Sequence, residues 1–347
     1  MGARRLALGV GAVTGALALP VALLAGWARL PGPGQGRPMV IDVHAGGDLG
    51  EELADLGVIS SPRLFRWYVS LFGAPAEPGE HVLNDALSPR ALSARLARTG
   101  ARPATKVKLP EGLSYVQTAE RLEQAEICSA HAFAISVRDP RLRQELGVRA
   151  ETLEGLLFPA TYDIVVDSQP ANVARLLVRT FRARYEKLLA KHPGAREALQ
   201  SQRGWGEHEI TTLASIVEKE AALDEEKPTI ASVYLNRLDD SEFKPEKMLQ
   251  ADPTAAYGCV VDDGSIPSCS GFRGRVTPLL LRDPTNRYNT YKHPGLPPGP
   301  IANPGEASIE AVLEPAQTDY LFFVATGNAR HTFSRTLDAH NRALRGQ

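Results

Sequence analysis

The sequence predicts an α+β protein that follows one N-terminal membrane-spanning helix. Apolar residues recur at helical spacing through the middle of the chain, most clearly from 210 to 221. Near the C-terminus the pattern changes to two short runs typical of strands, Tyr320–Thr326 and His331–Ser334, with the turn residues Gly327 and Asn328 between them. Because helices and strands occupy separate stretches, we predict the α+β class.

The N-terminal segment predicts a membrane anchor. The 23 residues of Leu6–Ala28 include no Asp, Glu, Lys or Arg. As a helix they would extend roughly 35 Å, against about 30 Å for a bilayer core. Arg4 and Arg5 favour a cytoplasmic tail (residues 1–5) and a single-pass protein of the cytoplasmic (inner) membrane, with its catalytic domain on the extracytoplasmic side. The alternative is a signal peptide cleaved near Gly26-Trp-Ala28.

The rest of the chain divides into a linker and four further segments. Residues 29–38 are rich in Pro and Gly, as linkers are. Val43-His-Ala-Gly46 opens a first small α+β unit (39–105), and Leu109-Pro-Glu-Gly112 opens a second (106–150). Each predicts a strand, a Gly turn and two helices. A connecting helical region (151–203) contains the basic amphipathic helix Ala171–Lys191, and a last domain covers 204–347.

Composition and charge restrict the class of protein. The chain has 347 residues, 43% hydrophobic and 23% charged, which is enough for more than one globular domain. The formal net charge is −1. Nucleic-acid binding favours a clustered basic surface, so we predict no nucleic-acid partner.

Three cysteines are present, and two of them predict a disulfide. Cys259 and Cys269 bracket a turn-rich stretch and would plausibly pair outside the cytoplasm, although two reduced thiols are the alternative. Cys128 lies in an apolar context and predicts a buried free thiol. No Cys/His grouping has zinc spacing, and His331 and His340 are nine residues apart, so we predict no metal.

The helix at 210–221 has one apolar stripe, and a glutamate flanks it on each side. The stripe consists of Ile210, Leu213, Ala214, Val217 and Ala221. Glu218 lies at one margin and Glu220 at the other, whereas Lys219 points away. A carboxyl group that is partly against apolar surface can hold its proton near neutral pH, as a general acid must. The alternative is that both are ordinary solvated glutamates.

Several blocks in order resemble the YceG-like endolytic murein transglycosylases (the MltG family). The resemblance runs from about Val40 to the C-terminus and rests on these blocks: Glu154-Gly155, Phe158-Pro159, Thr161-Tyr162, Leu213–Ala221, Pro228–Leu238, Leu249–Thr254, Tyr257-Gly258, Tyr288–Tyr291, Gly295–Gly305, Tyr320–Ala325, His331–Phe333 and His340-Asn341. It implies that Glu218 is catalytic and that the unit at 106–150 is LysM-like. The alternative for both small units is a spacer role.

The resemblance also implies the reaction. Glu218 would protonate the glycosidic oxygen between N-acetylmuramic acid and N-acetylglucosamine. It would then take the proton from the muramic C6 hydroxyl as that group closes a 1,6-anhydro ring. No cofactor takes part. The implied partners are peptidoglycan glycan strands and peptidoglycan synthases, and the implied role includes the release of nascent strands from synthesis.

Four further residues are the candidates for holding the sugar: Gln250, Tyr288, Asn289 and Tyr291. The alternative to sugar binding is a structural role, in which Asn289 caps a turn and the two tyrosines belong to the core. Glu220 is interpreted as structural, and His331 and His340 as site-orienting or merely hydrogen-bonded. Two other functions stay open: a non-catalytic glycan-binding scaffold, and a muramidase-type hydrolase, which would require a second acid at a partnered position.

Overall fold

The computed structural model describes residues 20–43, 48–97, 104–166, 168–262 and 264–346. The chain divides into two units, Met1–Ala104 and Thr105–Gln347. The predicted cytoplasmic tail and most of the predicted anchor lie outside the described residues, and only the helix at 20–27 falls within the anchor segment. Among the described helices, none combines the length and the apolarity that a membrane crossing requires.

The first unit pairs two strands beside three short helices. Strands β1 (Pro38–Val43) and β2 (Gly79–Asn84) are antiparallel, with Val40 opposite Val82. The helices are α1 (Leu49–Asp55), α2 (Pro62–Phe72) and α3 (Pro89–Leu96). Each begins after a side chain that accepts a backbone N–H in the first turn: Asp48, Ser61 and Ser88. The core of this unit includes Ile41, Leu53, Val58, Phe65, Leu83 and Leu92.

The second unit opens with the same order of elements. Strands β3 (Ala104–Lys108) and β4 (Thr161–Val165) form a two-stranded sheet. Between them lie α4 (Tyr115–Gln124), α5 (Ala130–Arg138) and α6 (Pro140–Glu145). A capping box starts α4, because the Ser114 hydroxyl accepts the Gln117 N–H and the Gln117 side chain accepts the Ser114 N–H. The predicted order of a strand and two helices is therefore present in both small units, and the turn predicted at Val43-His-Ala-Gly46 lies mostly outside the described residues.

A helical assembly follows, in which one helix is central. The helices are α7 (Pro170–Lys191), α8 (Ala195–Arg203), α9 (Glu207–Glu220), α10 (Lys227–Asp239), α11 (Asp252–Val260), α12 (Pro278–Arg282) and α13 (Glu306–Leu313). Helix α9 contacts α10, α11 and α13. The sequence predicts one buried stripe on α9, but every residue from Ile210 to Val217 is buried. Two of the three buried polar side chains are hydrogen-bonded: the Thr212 hydroxyl donates to His208 O, and the Ser215 hydroxyl donates to Thr212 O and accepts the Ile301 N–H, whereas the Thr211 hydroxyl has no partner among the described residues.

The C-terminal region confirms the predicted hairpin and the mixed α+β class. Strands β5 (Phe322–Ala325) and β6 (His331–Ser334) are antiparallel, and α14 (Leu337–Arg345) follows them. The turn is longer than the predicted Gly327-Asn328 pair. Ala329 (φ 60°) joins Asn328 (φ 67°) in the left-handed region. The Thr326 N–H donates to Arg330 O across it.

The predicted disulfide is present. Cys259 at the end of α11 is bonded to Cys269, with the two Cα atoms 5.1 Å apart. Cys128 is a free, partly buried thiol, and burial raises its pKa to about 11. Among the described residues between α11 and α12, the 3₁₀ turn Pro267–Cys269 is the one regular element. The disulfide joins this turn to the end of α11 and so restrains the segment.

Removing this crosslink is expected to lower the free energy of unfolding. The Cys259→Ser/Cys269→Ser variant should lose about 3 kcal/mol, because the closed loop restricts the unfolded chain. Urea denaturation followed by circular dichroism measures the difference. Dithiothreitol should destabilise the wild type and leave the double variant unchanged. An equal response of both proteins would show that the disulfide contributes no stability.

Candidate active site

Helix α9 presents two carboxylates in opposite directions near its C-terminus. Glu218 and Glu220 are two positions apart, and two residues of an α-helix turn by about 200°. Each carboxylate therefore meets different neighbours, and those neighbours come from distant parts of the sequence.

Glu218 is enclosed by donors. Its Oε2 accepts the Ser308 hydroxyl at 2.5 Å, the Gly305 N–H at 3.1 Å and the Lys227 ammonium at 3.3 Å. The side chain is 9% exposed and that of Lys227 3%. Gly305 is the N-cap of α13, so the positive end of that helix faces the carboxylate. The apolar flank expected from the sequence is thus replaced by a polar, ion-paired environment.

The Leu109–Gly112 turn closes over the same carboxylate. Gly112 O accepts the Lys219 ammonium at 3.1 Å, and the Gly112 N–H donates to Asn303 O at 2.9 Å. The Glu111 carboxyl group lies so close to Gly305 that a Cβ there would be 2.1 Å from its Cδ. Burial raises the pKa of Glu111, and the nearby charge of Glu218 raises it further. These contacts fasten the turn to α9 and α13.

Glu220 has a different environment, which suits an acid. Its Oε1 accepts the hydroxyl of the buried Tyr234 at 3.0 Å. Burial raises the pKa of Glu220 to about 7, and this effect exceeds the lowering by the Tyr234 hydrogen bond. The charge of Asp252 raises the pKa as well, whereas Arg237 and His331 lower it. A carboxyl group with a pKa near neutrality can both donate and accept a proton under physiological conditions.

Gln250, which directly precedes Ala251 and α11, has a strained backbone. Its φ is +53°, unusual for a residue other than glycine. The conformation is fixed because the Gln250 N–H donates to Thr290 O at 3.1 Å, the Ala251 N–H donates to the Thr290 hydroxyl at 3.0 Å, and Leu249 O accepts the Arg237 guanidinium. The Gln250 side chain is partly exposed and has no hydrogen-bond partner among the described residues.

This geometry predicts opposite effects on stability and activity. Gln250→Gly should leave the free energy of unfolding unchanged or raise it by up to about 1 kcal/mol, because glycine adopts the left-handed region without strain. Gln250→Ala keeps the strain and should not stabilise. Both variants should cleave glycan more slowly if the amide contacts sugar. Paired denaturation and cleavage assays measure this, and full activity of both would remove Gln250 from the site.

The structure separates the four predicted sugar-binding residues. Tyr291 lies with Gln250, and its hydroxyl donates to Asp252 Oδ1 at 2.7 Å. Tyr288 instead packs edge-on against Tyr257, with ring centroids 4.8 Å apart, and burial raises its pKa to about 12. Asn289 is fully buried: its amide nitrogen donates to Leu280 O, Leu281 O and Asp283 O, and its Oδ1 accepts the Tyr291 N–H. The contacts of Asn289 match the structural alternative.

Three residues of the Glu220 environment are absent from the sequence-based candidates: Tyr234, Arg237 and Asp252. Arg237 is buried, donates to Leu321 O, and lies over the rings of Tyr234 and Phe243. Their signal was present, since all three belong to blocks that carry the family resemblance. The spacing along α10 could not show that Tyr234 faces α9. His331 is bonded to Glu226 (Nδ1 to Oε2, 2.7 Å), and His340 stacks on Phe322.

A second buried carboxylate, Glu154, joins the small unit to the helical assembly. Its Oε2 accepts the Tyr115 N–H at 2.9 Å and the Tyr257 hydroxyl at 3.0 Å, and its Oε1 accepts the Asn303 amide at 2.8 Å. Burial raises the pKa of Glu154 to about 7 against the effect of these donors. The residue is 3% exposed. Because its partners come from α4, α11 and the loop before α13, it links the small unit to the helical assembly.

Comparisons with known proteins agree with these motifs. The profile of the YceG-like family matches residues 41–346. A Bacillus subtilis (strain 168) protein named endolytic murein transglycosylase is 29% identical over 304 residues, which cover 82% of this chain and 77% of that protein. A protein of the same name from Streptococcus pneumoniae serotype 2 (strain D39) is 27% identical over 80% of this chain, but the match spans only 52% of its own length.

A solved structure extends the agreement to the fold. The crystal structure of a YceG-like protein from Listeria monocytogenes superposes with a TM-score of 0.56 at 28% identity, covering 89% of this chain and 100% of that one. The resemblance predicted from the ordered motifs is therefore confirmed, and the chain belongs to the YceG-like family.

Proposed function

We propose that the protein is an endolytic peptidoglycan lytic transglycosylase, which cleaves the bond between N-acetylmuramic acid and N-acetylglucosamine within glycan strands and leaves 1,6-anhydro ends. The observation that carries the proposal is the match of residues 41–346 to the YceG-like family, within which α9 presents two glutamates, Glu218 and Glu220. The curated relatives named endolytic murein transglycosylase support the same activity.

The mechanism requires one group that gives and then takes a proton. Glu220 donates its proton to the glycosidic oxygen as the bond to the muramic anomeric carbon breaks. The resulting carboxylate accepts the proton of the muramic C6 hydroxyl, whose oxygen bonds to the same carbon. The nucleophile belongs to the substrate, so proximity does the work of an external nucleophile. Glu220 returns to its acid form without water or a cofactor.

We propose Glu220 as the acid because burial raises its pKa to about 7, and we keep Glu218, the residue that the family resemblance implies, as the alternative. The hydroxyl, ammonium and backbone donors around Glu218 all suit an anionic acceptor that serves as an anchor. Glu218 would give and take the proton in the same mechanism. Replacing each glutamate separately tests which of the two is the acid.

The remaining parts of the proposal concern location and partners. The apolar segment at 6–28 supports a single-pass anchor in the cytoplasmic membrane, with the catalytic region outside. The unit at 106–150 is proposed to be LysM-like and to bind glycan, a role that the strand–helix–helix order supports. Peptidoglycan synthases are proposed partners, because release of nascent strands would place the enzyme beside strand synthesis.

Product analysis tests the activity. The full chain in detergent is incubated with uncrosslinked glycan strands, and the fragments are identified by mass spectrometry. Anhydromuramic ends at internal cleavage positions are expected. Reducing muramic ends would instead identify a muramidase-type hydrolase. Strand binding with no cleavage would identify a glycan-binding scaffold.

A further inference from the structure

Residues 29–38, predicted as a linker, are fastened to the first unit. Their backbone N–H groups donate to the connection between β2 and α3: Gly32 to Ala86 O, Gly34 to Asp85 O, and Gly36 and Arg37 to Asp85 Oδ1. A Cβ at Gly34 would lie 2.0 Å from Asp85 Cγ, so glycine is what permits this close approach. Ala28 O, at the end of the predicted anchor, accepts the Arg90 N–H at 2.9 Å. The first unit is therefore held directly at the end of the predicted anchor.

The end of the predicted anchor also packs on α2. Leu24 and Ala28 are buried in one cluster with Tyr68, and Leu64 packs against that cluster. In the proposed single-pass anchor at 6–28, Leu24 and Ala28 belong to the last turns, which a bilayer places at its outer interface. Tyr68 and the neighbouring surface of α2 are then held at the depth of the lipid headgroups.

Beside this contact, α2 exposes two large apolar side chains. Trp67 is 64% exposed and Leu71 is 59% exposed. The two residues lie one turn apart on the helix, directly beside Leu64 and Tyr68. Single exposed apolar residues are common on protein surfaces, but this pair continues the apolar stripe that covers the end of the anchor. We call Trp67 and Leu71 the outer edge of α2.

The charge around the outer edge suits an anionic partner. Helix α2 carries Arg63 and Arg66 and no acidic residue. Arg66 is paired with Asp48 and Glu51. Arg63 and Arg29 are exposed and form no ion pair among the described residues. A two-fold contact between copies of the chain through this edge would bring the same cations together, whereas anionic lipid headgroups supply the opposite charge.

We propose that the outer edge of α2 inserts into the surface of the lipid bilayer that holds the anchor, with Arg63 and Arg29 beside anionic headgroups. This inference rests on the proposed membrane anchor. Indole rings favour the membrane–water interface, and an amphipathic helix buries its apolar side chains at the boundary of headgroups and acyl chains. Because residues 29–38 are bonded to the unit, the anchor carries the edge to the membrane. The first unit is then a membrane-surface module and not a spacer.

Quenching of tryptophan fluorescence by brominated phospholipids tests the proposal. The full chain is reconstituted in vesicles of phosphatidylcholine and phosphatidylglycerol that carry bromine on their acyl chains. The chain has three tryptophans, Trp27, Trp67 and Trp205, so phenylalanine at two of these positions leaves one reporter at a time. Trp67 alone should be quenched and its emission shifted to the blue. Trp205 is 8% exposed and should not be quenched, because protein atoms cover it.

A charge beside the reporter provides the second arm of the test. Leu71→Glu, made where Trp67 is the one tryptophan, should lower the quenching to the level of Trp205, because a carboxylate opposes insertion into the acyl region. Ile135→Glu is the matched control on α5 of the second unit, where Ile135 is 57% exposed. It should leave the quenching of Trp67 unchanged. If Leu71→Glu misfolds by circular dichroism, quenching of Trp67 beside the native Leu71 still decides.

The reporter at Trp27 separates this proposal from the anchor on which it rests. Quenching of Trp27 without quenching of Trp67 would overturn the role of the outer edge and leave the anchor in place. Absence of quenching at both positions would overturn the anchor as well. If Trp67 is shielded from aqueous acrylamide but not quenched by brominated lipid, a second copy of the chain covers the edge, and the lipid proposal is wrong. None of these readouts depends on glycan cleavage, so the proposed enzymatic activity is tested separately.

Discussion

Glu220→Gln is expected to reduce formation of anhydromuramic ends by about 10³-fold or more, because glutamine can neither give nor take the proton. The wild-type rate should fall as pH rises above about 7, since the pKa of Glu220 is about 7 and the acid form is the one that protonates the leaving oxygen. Mass spectrometry of fragments at several pH values measures both effects. Retained cleavage in the variant would remove Glu220 from catalysis.

Glu218→Gln is the matched control, made on the same helix with the same change of chemistry. It removes the anionic partner of the buried Lys227 and weakens the bonds to Ser308 and Gly305. We expect a loss of about 1–3 kcal/mol in the free energy of unfolding and a rate within about 10-fold of the wild type. The reverse pattern, with an inactive Glu218→Gln and an active Glu220→Gln, would restore the sequence-based assignment.

Glu154→Gln is expected to lower the free energy of unfolding by about 2–4 kcal/mol. The reason is that the groups bonded to Glu154 all donate: the Tyr115 N–H, the Tyr257 hydroxyl and the Asn303 amide. An amide nitrogen in place of one carboxylate oxygen would face donors, leaving a buried donor without an acceptor. Urea denaturation followed by circular dichroism measures the loss.

Glu151→Gln provides the control for this prediction, because it lies three residues earlier and on the surface. Its carboxylate is 74% exposed and pairs with Arg287. An exposed ion pair contributes little, so the change should stay within about 0.5 kcal/mol. Equal losses in the two variants would mean that the buried network around Glu154 does not hold the small unit against the helical assembly.

Local patterns predicted most elements of the fold. Apolar spacing identified α9, and alternating strand runs with Gly327-Asn328 identified the β5–β6 hairpin. These features depend on neighbours within a few residues, and such neighbours are visible in the sequence. The pairing of Cys259 with Cys269 is equally local, because ten positions separate them. The burial of every residue from Ile210 to Val217 was not predicted, since it depends on distant segments such as α13 and the loop at Ile301 that pack around α9.

The candidate site residues stay predictions, and the sequence could not show how they are grouped in space. Tyr291 donates a hydrogen bond to Asp252, whose charge raises the pKa of Glu220, whereas Glu218 accepts from Ser308 and Gly305. Periodicity places Glu218 and Glu220 on the two margins of one stripe and cannot show what each margin meets. Asn289 belongs to one of the family motifs, yet its amide nitrogen donates to backbone oxygens of α12 and of Asp283, which directly follows that helix.

The sequence by itself determined the family, the α+β class, the candidate disulfide pair and the helix that carries the two candidate glutamates, because each depends on composition, on short-range spacing or on ordered motifs. Only the tertiary structure decided which glutamate has the environment of an acid. Ser308 lies 90 positions after Glu218 and Gly305 lies 87 after it, and both donate hydrogen bonds to that carboxylate. Burial against Tyr234 and the charge of Asp252 raise the pKa of Glu220. Such environments arise only when distant segments meet, because desolvation and charge act through space and not along the chain.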